Sequence, residues 1–425
     1  MKFKISFVLL ILLSFLAACG SNGSDNSGAS GDEIVLDVFN IKVETTEQLD
    51  NLVDIYESEN DNVRINVTTV GGGQDAASAL QAKFSSNEEP SIFLLGGLSD
   101  VEKYQDYLLD VSDMESAEQA IDGTLNGVSI DDTPYGIPLN IEGYGWMINK
   151  DVFERAGVDP TTINSYEVFV EAVETIDAQK EELGIDAVFG FSGMEDWVVS
   201  QYSSHFTSPE FDHDEAVGYA TDELNFEYGD RMKEYTDLVN QYNVQPILSL
   251  DYSTSVEELF TNDRVAIVHQ GNWIVPTLNS MDESFAEEKL GILPLFVESD
   301  TEGKIVAGPS WYWGVNGEKD DEEVEEAKKF LDWMYTSDTG KELIVEDFQY
   351  IPAHEGYDTD LIADPTSKEI YEMVLDEQVG IWANNQYPDG FFSEALFPEF
   401  QKYLDGQQSW EEFKENTSQS FTDMR

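Results

Sequence analysis

Cysteine is nearly missing from this chain: one stands in 425 residues, and it is Cys19. A body cross-linked by internal disulfides is thereby excluded, and so is a catalytic thiol beyond the first few residues. Histidine is almost as scarce. The four, His205, His213, His269 and His354, are scattered and show no zinc-type pairing in sequence. No Gly-x-Ser-x-Gly elbow is present. Positive charge is short too, with 22 Lys and Arg against 86 Asp and Glu and a net charge of −64. Such a surface repels nucleic acid and anionic lipid headgroups, which removes both as partners. Finally, the one long apolar run, Ile5 to Leu16, is too short to span a bilayer.

That run has another use. Lys2 and Lys4 precede it, and it ends in Leu16-Ala17-Ala18-Cys19-Gly20, which resembles the bacterial lipobox. The resemblance implies a signal peptide over residues 1–18 and a lipid on Cys19, which anchors the mature chain to the outer face of the cell membrane. Residues 19–32 are Ser, Gly, Asn, Asp and Ala after the cysteine, a flexible tether with a reach of roughly 20 Å. The mature chain keeps 20 basic and 86 acidic residues, a formal −66, spread along its length rather than gathered in a tail. This reads as a hydrated surface suited to a salty or alkaline habitat. A calcium loop at Asp212-His213-Asp214 fails, because Ala216 and Val217 stand where a ligand and a sharp-turn glycine are needed. No metal is expected.

About 400 residues exceed what one core holds, so two lobes are expected. Glu33–Asn40 reads as a buried strand, and residues 44–59 then place Leu49, Leu52, Val53 and Tyr56 on one helical face. Val63, Ile65 and Val67 alternate as a second strand, Ala76 to Phe84 gives another helical face, and Pro90–Gly97 a third strand. This β-α-β-α-β order predicts a mostly parallel α/β sheet whose ligand lies beyond the strands' carboxyl ends. The tips at Asn40–Glu44, Val70–Asp75 and Gly96–Asp100 are therefore the places to watch. Further strands are expected at 187–191, 265–269 and 291–295. A helix is expected over 322–335, and Ser409-Trp410-Glu411-Glu412 has the capping-box pattern of a last helix.

Tyr135-Gly136-Ile137-Pro138, then Glu142-Gly143-Tyr144-Gly145-Trp146-Met147-Ile148-Asn149-Lys150-Asp151-Val152-Phe153 and Ala156-Gly157-Val158-Asp159-Pro160, form the most specific stretch. It resembles the signature of extracellular solute-binding proteins of carbohydrate-uptake ABC transporters, the maltose- and raffinose-type binders, with Ile148 in place of the usual tyrosine. Weaker matches follow in the family's order at Glu258–Ile267 with Gly271 and Trp273, at Ala327–Leu331, at Ile351-Pro352-Ala353 and at Gly406–Trp410. Val70–Asp75 is similar to the raffinose-type subgroup. The resemblance implies a periplasmic-binding-protein-like fold, two α/β lobes joined by a hinge with the ligand between them. It places residues 33–141 with 306–347 in the N-terminal lobe and 142–305 with 348–425 in the C-terminal lobe. It also implies a monomer, a permease partner, no cofactor and no catalysis.

Sugar capture asks for flat aromatic platforms against C–H faces and polar side chains for the hydroxyls. Trp273 and Asn272, in the turn after Gln270-Gly271, are candidates on that ground. So are Trp311 and Trp313, which share one side of an extended run with Tyr312 opposite, so that one face lines the cleft and the other fills core. Glu142, Tyr144 and Trp146 share a face in the crossing strand, and Trp197 and Trp382 follow loops. Asn40, Glu44 and Asp75 stand at strand tips. Trp333 and Trp410 are expected to pack inside. The glycines at 71–73 lack the Gly-Lys-Ser/Thr of a phosphate cradle. Rival functions are a binder of compatible solutes or peptides, a lipid-anchored glycan hydrolase working through paired carboxylates, and a surface adhesion lipoprotein.

The charge makes its own prediction. Added salt shortens the Debye length from about 10 Å at 0.1 M to about 3 Å at 1 M and screens the self-repulsion of the folded state. The melting temperature should rise over that range of sodium chloride. A flat or falling curve would remove the salt-adapted reading.

Overall fold

The computed structural model describes residues 33–70, 76–362 and 364–425; Cys19, the tether and Asp75 lie outside them. Strands β1 (Ile34–Asn40), β2 (Val63–Thr69) and β3 (Ile92–Leu95) run parallel, as the alternating pattern predicts. A small hairpin of β4 (Ser129–Ile130) and β5 (Thr133–Pro134) leads to β6 (Ile137–Pro138). Much later β12 (Tyr312–Val315) returns between β3 and β6, antiparallel to both, and the sheet order is β2-β1-β3-β12-β6. Period-two alternation assigns each side chain a face. Leu36, Val38, Ile92, Leu94, Trp313 and Val315 meet helices Thr46–Glu59 and Asp321–Thr336, whereas Phe39, Phe93, Leu95 and Tyr312 fill the cluster on the other face. Each large apolar side chain so buried contributes about 1.5–3 kcal/mol.

The second lobe is organised around β7 (Ile141–Asn149), nine residues that are all buried. One edge of β7 pairs antiparallel with β9 (Val265–Gly271), which in turn pairs parallel with β8 (Ala187–Phe189). Its other edge is shared end to end. β10 (Leu290–Leu293) takes the part from Trp146 to Asn149, and β11 (Ile305–Pro309) takes the part from Ile141 to Tyr144. β13 (Val379–Gly380) closes the sheet beside β11. This sheet is mixed rather than mostly parallel, because β7 enters it from the other lobe without a crossover helix. Residues 306–309, expected in the N-terminal lobe, therefore pair within the second sheet, and the first sheet resumes at Tyr312. The chain crosses between sheets at Leu139–Asn140 and at Ser310–Trp311, and Ile351 returns beside them to accept from the Ile141 amide at 2.8 Å.

Two expectations about tryptophan separate here. Trp410 packs on Phe413 and Tyr403, its Nε1 donates to Gly229 O at 3.0 Å, and the Ser409–Glu412 capping box starts its helix. Trp333 is not a core residue: it stands one position off the buried stripe of Ala327, Phe330, Leu331 and Met334, is half-buried, and donates to Glu59 Oε2 at 3.1 Å. Away from the crossings the lobes meet again at a rim. Tyr219 OH donates to Glu102 Oε2 at 2.7 Å, Ser99 Oγ to Tyr387 O at 3.3 Å, and Lys103 pairs with Asp389 at 3.2 Å. Among the described residues no helix is long and apolar enough to cross a membrane.

His354 lies near the crossings, stacked on Tyr335 with ring centroids 4.3 Å apart, and neither ring nitrogen has a hydrogen-bond partner among the described residues. Burial, with Lys341 nearby, holds its pKa down from 6.5 to about 3. The fold thus favours the neutral ring, and that stability is complete above pH 6.5 and is lost as pH falls toward 3. His354→Phe should be no less stable than wild type at pH 8. Its advantage should grow to about 3 kcal/mol by roughly pH 4.5, read as the difference between paired urea curves. A pH-independent difference would refute the assignment.

Candidate functional site

The site begins at the tip of β1. Asn40 Oδ1 accepts from the Lys42 amide at 3.1 Å, and its Nδ2 donates to Thr69 Oγ1 at 3.1 Å and to Lys42 O at 3.2 Å. This closes a tight turn and directs Lys42 inward. Its ammonium lies 2.6 Å from Glu44 Oε1 and 2.7 Å from Glu142 Oε1. Burial by itself would lower the Lys42 pKa, but the charges of Glu142 and Glu44 outweigh it and hold the group protonated. Glu142 is 3% exposed, and its second oxygen accepts from Ser310 Oγ at 2.5 Å. Asn385 Nδ2 donates to Ser310 O at 3.0 Å.

On the second-lobe side, β9 ends at Gly271 and the chain turns. Asn272 Oδ1 accepts from the Gly143 amide at 2.8 Å and pins the turn to β7. Gly271 is needed because a Cβ there would collide with the Trp273 ring and lie 2.6 Å from Gly143 O. Trp273 therefore folds back over the strand end, with Nε1 donating to Gln270 Oε1 at 2.9 Å. From it a run of rings extends both ways. Trp382 lies 6.1 Å from Trp273 and Tyr144 lies 4.7 Å from Trp382, while on the other side Trp197 is 6.3 Å from Trp273 and Tyr252 is 6.0 Å from Trp197. Glu195 braces that end, accepting from Trp197 Nε1 at 3.2 Å and from the Tyr252 amide at 3.0 Å. Trp382 Nε1, Gln270 Nε2 and Asn140 Oδ1 are buried without a hydrogen-bond partner among the described residues. Buried polar atoms are normally paired, so these three are exceptions, as is Trp146 Nε1 in the second-lobe core.

Beneath Tyr144 two histidines scattered in the sequence come together. His205 and His269, 64 residues apart, meet with Nε2 atoms 3.1 Å from each other, and burial pushes both pKa values down, His269 to about 3. Both rings stay neutral at pH 7 and support the Tyr144 ring edge-on at 5.2 and 5.7 Å. Among the described residues no cluster of three metal-ligating side chains forms.

The expected residues thus divide. Tyr144, Trp197, Trp273 and Trp382 come together, with Asn272 shaping their turn. Glu142, Glu44 and Asn40 gather with Lys42 at the first strand tip. Trp311 is half-buried at the crossing, where a Cβ on Gly96 would touch its ring. Trp146 and Trp313 do not reach the site. Trp146 is fully buried among Phe169, Phe189, Tyr202 and Tyr235, because β7 carries each successive residue of that face deeper into the lobe. Trp313 lies in the first-lobe core and donates to Tyr335 OH at 3.0 Å. Asp75 lies outside the described residues. Sequence reasoning missed Lys42, Tyr252 and Ser310, and noted Gln270 and Asn385 only as neighbours of Trp273 and Trp382. Lys42 alone had a signal, as the single cation in a strand tip already singled out.

Residues 51–370 match the family described as bacterial extracellular solute-binding protein. The chain belongs to this family. As a member of this family it binds a solute and is not an enzyme. It is 22% identical over 349 residues, 79% of each chain, to the multiple sugar-binding protein of Streptococcus mutans. RafE from Streptococcus pneumoniae shares the fold at TM-score 0.74 and 16% identity, over 93% of this chain and 99% of that one, and has also been solved with raffinose. A sugar transporter from Bacillus licheniformis in complex with stachyose superposes at TM-score 0.70 and 18% identity, over 92% and 100% of the two chains.

The division of tryptophans in this solute-binding protein is testable by paired truncations. Trp273→Ala should weaken solute binding by about 2 kcal/mol or more with little change in melting temperature. Trp146→Ala should lower stability by about 3–5 kcal/mol and leave the affinity of the folded fraction nearly unchanged. Titration calorimetry and thermal unfolding of both variants decide, and exchanged phenotypes would reverse the assignment.

Proposed function

We propose that the protein captures a neutral oligosaccharide between its lobes and delivers it to the permease of an ABC importer, held at the outer face of the cell membrane by a lipid on Cys19. The observation that carries the reading is the run of rings from Tyr252 through Trp197 and Trp273 to Trp382 and Tyr144, with Trp382 Nε1 and Gln270 Nε2 buried beside it unpaired. Tyr144 and Trp382 are buried and back the run, while Tyr252, Trp197 and Trp273 are partly exposed and offer the faces that would suit linked pyranoses. Neutral amide and indole groups suit hydroxyls rather than a charged ligand. The raffinose and stachyose bound by structural relatives support the same class. A betaine would ask for a cage of rings with no hydroxyl-bonding partners, which the amides of Gln270 and Asn140 do not resemble.

A thermal-shift panel in high salt tests this with raffinose, stachyose, maltotriose, a chitin trisaccharide, glycine betaine and a tripeptide. At a hundred times its dissociation constant, one of the oligosaccharides should add about 2.7 kcal/mol of stability and be recovered uncleaved. Stabilisation by betaine or peptide alone would overturn the sugar reading. Cys19→Ser should move the protein to the soluble fraction with the same panel profile, and retention on membranes after a salt wash would overturn the anchor.

A further inference from the structure

Glu142 was expected to bond solute, yet neither of its oxygens is free. Oε1 is held by Lys42 and Oε2 by Ser310, and the Glu142 and Lys42 side chains are 4% and 10% exposed. The contacts join stretches far apart in sequence. Lys42 belongs to the loop after β1, Glu142 to the first crossing 100 residues later, and Ser310 to the second crossing. Ser310 O is bonded in turn by Asn385, three residues past Trp382. Next to Lys42, the Thr45 hydroxyl lies 2.8 Å from Tyr350 OH, beside the third passage of the chain at Ile351. A continuous set of polar contacts therefore runs from the first lobe's strand tip, through both crossings, to the loop that carries an aromatic platform.

We propose that Lys42 and Glu142 are positioning residues: their buried ion pair, with Ser310, locks the first lobe's tip loop in register with the crossings and so sets the closed geometry on which solute affinity depends, without touching the solute. This rests on reading the aromatic run as the solute site. The desolvation cost of a buried pair roughly cancels its Coulomb attraction, so the pair adds geometry more than net stability. Losing Lys42 strands Glu142 where the lobes join, and losing Glu142 leaves Lys42 with Glu44 alone, 2.6 Å away on the tip loop; in both cases the relief available is to pull the tip loop away and admit water. Replacing both partners by neutral side chains of similar size removes that drive, because the Glu44 side chain left behind is 26% exposed and stays hydrated.

The test is a double-mutant cycle of Lys42→Met and Glu142→Gln, read by raffinose titration and small-angle scattering on the full protein. Each single variant should lose at least about tenfold in affinity and scatter with a larger radius, and the double variant should return to within about threefold of wild type. Losses that multiply in the double variant would make both residues direct solute contacts and overturn the proposal. Lowered melting temperatures with unchanged affinity would make the pair merely structural and overturn it too. If a single variant does not fold, Ser310→Ala replaces it, with a several-fold affinity loss expected and no loss counting against. If raffinose binds no form of the protein, the sugar reading fails separately and scattering decides: expanded singles with a compact double support the lock, and equal radii refute it.

Discussion

β7 leaves the hinge and runs nine residues through the second lobe with every side chain buried, so every backbone amide and carbonyl along it must find a hydrogen-bond partner. β9 satisfies one edge, and β10 and β11 divide the other between them. That division places β11 against the hinge end of β7, and the chain leaving β11 has only Ser310 and Trp311 before it rejoins the first sheet. Both crossings are thereby short and side by side. The same strand delivers Glu142 to the hinge, Tyr144 to the aromatic run and Trp146 to the core, three residues of one face with three environments. A register slip of one residue would turn all of them to the opposite face.

Charge is distributed with equal consequence. The surface is crowded with carboxylates, whereas the interior beside the rings is kept neutral: His205 and His269 are uncharged, and Tyr144 is held protonated far above its ordinary range by burial. Among the described residues the one cation buried there is Lys42, and it is matched at once by Glu44 and Glu142. Apart from Glu195 at its outer end, the ring-lined region is uncharged inside a highly anionic shell, which suits the neutral oligosaccharide proposed above. Anions are repelled on approach, and a cation would be retained by the exterior carboxylates as readily as by the rings.

Much of the first lobe was legible because local periodicity and burial coincide there. Leu49, Leu52, Val53 and Tyr56 at helical spacing, and Val63 and Ile65 at strand spacing, are buried as read. The capping box at Ser409 needed nothing beyond four residues. Trp333 failed because a tryptophan invites a core assignment although its position is off the stripe, and Trp146 failed because a shared strand face says nothing about how deep each residue lies.

The sequence by itself determined the α/β class and the turn residues near the strand ends, since these depend on short-range pattern, and its ordered motifs carried the resemblance to a two-lobe family. Only the tertiary structure decided which rings meet, that two histidines 64 residues apart share a hydrogen bond, and that Lys42 finds Glu142 across 100 residues. Such pairings are made by the register of β7 with its neighbours and by the closing of loops, which no local spacing encodes.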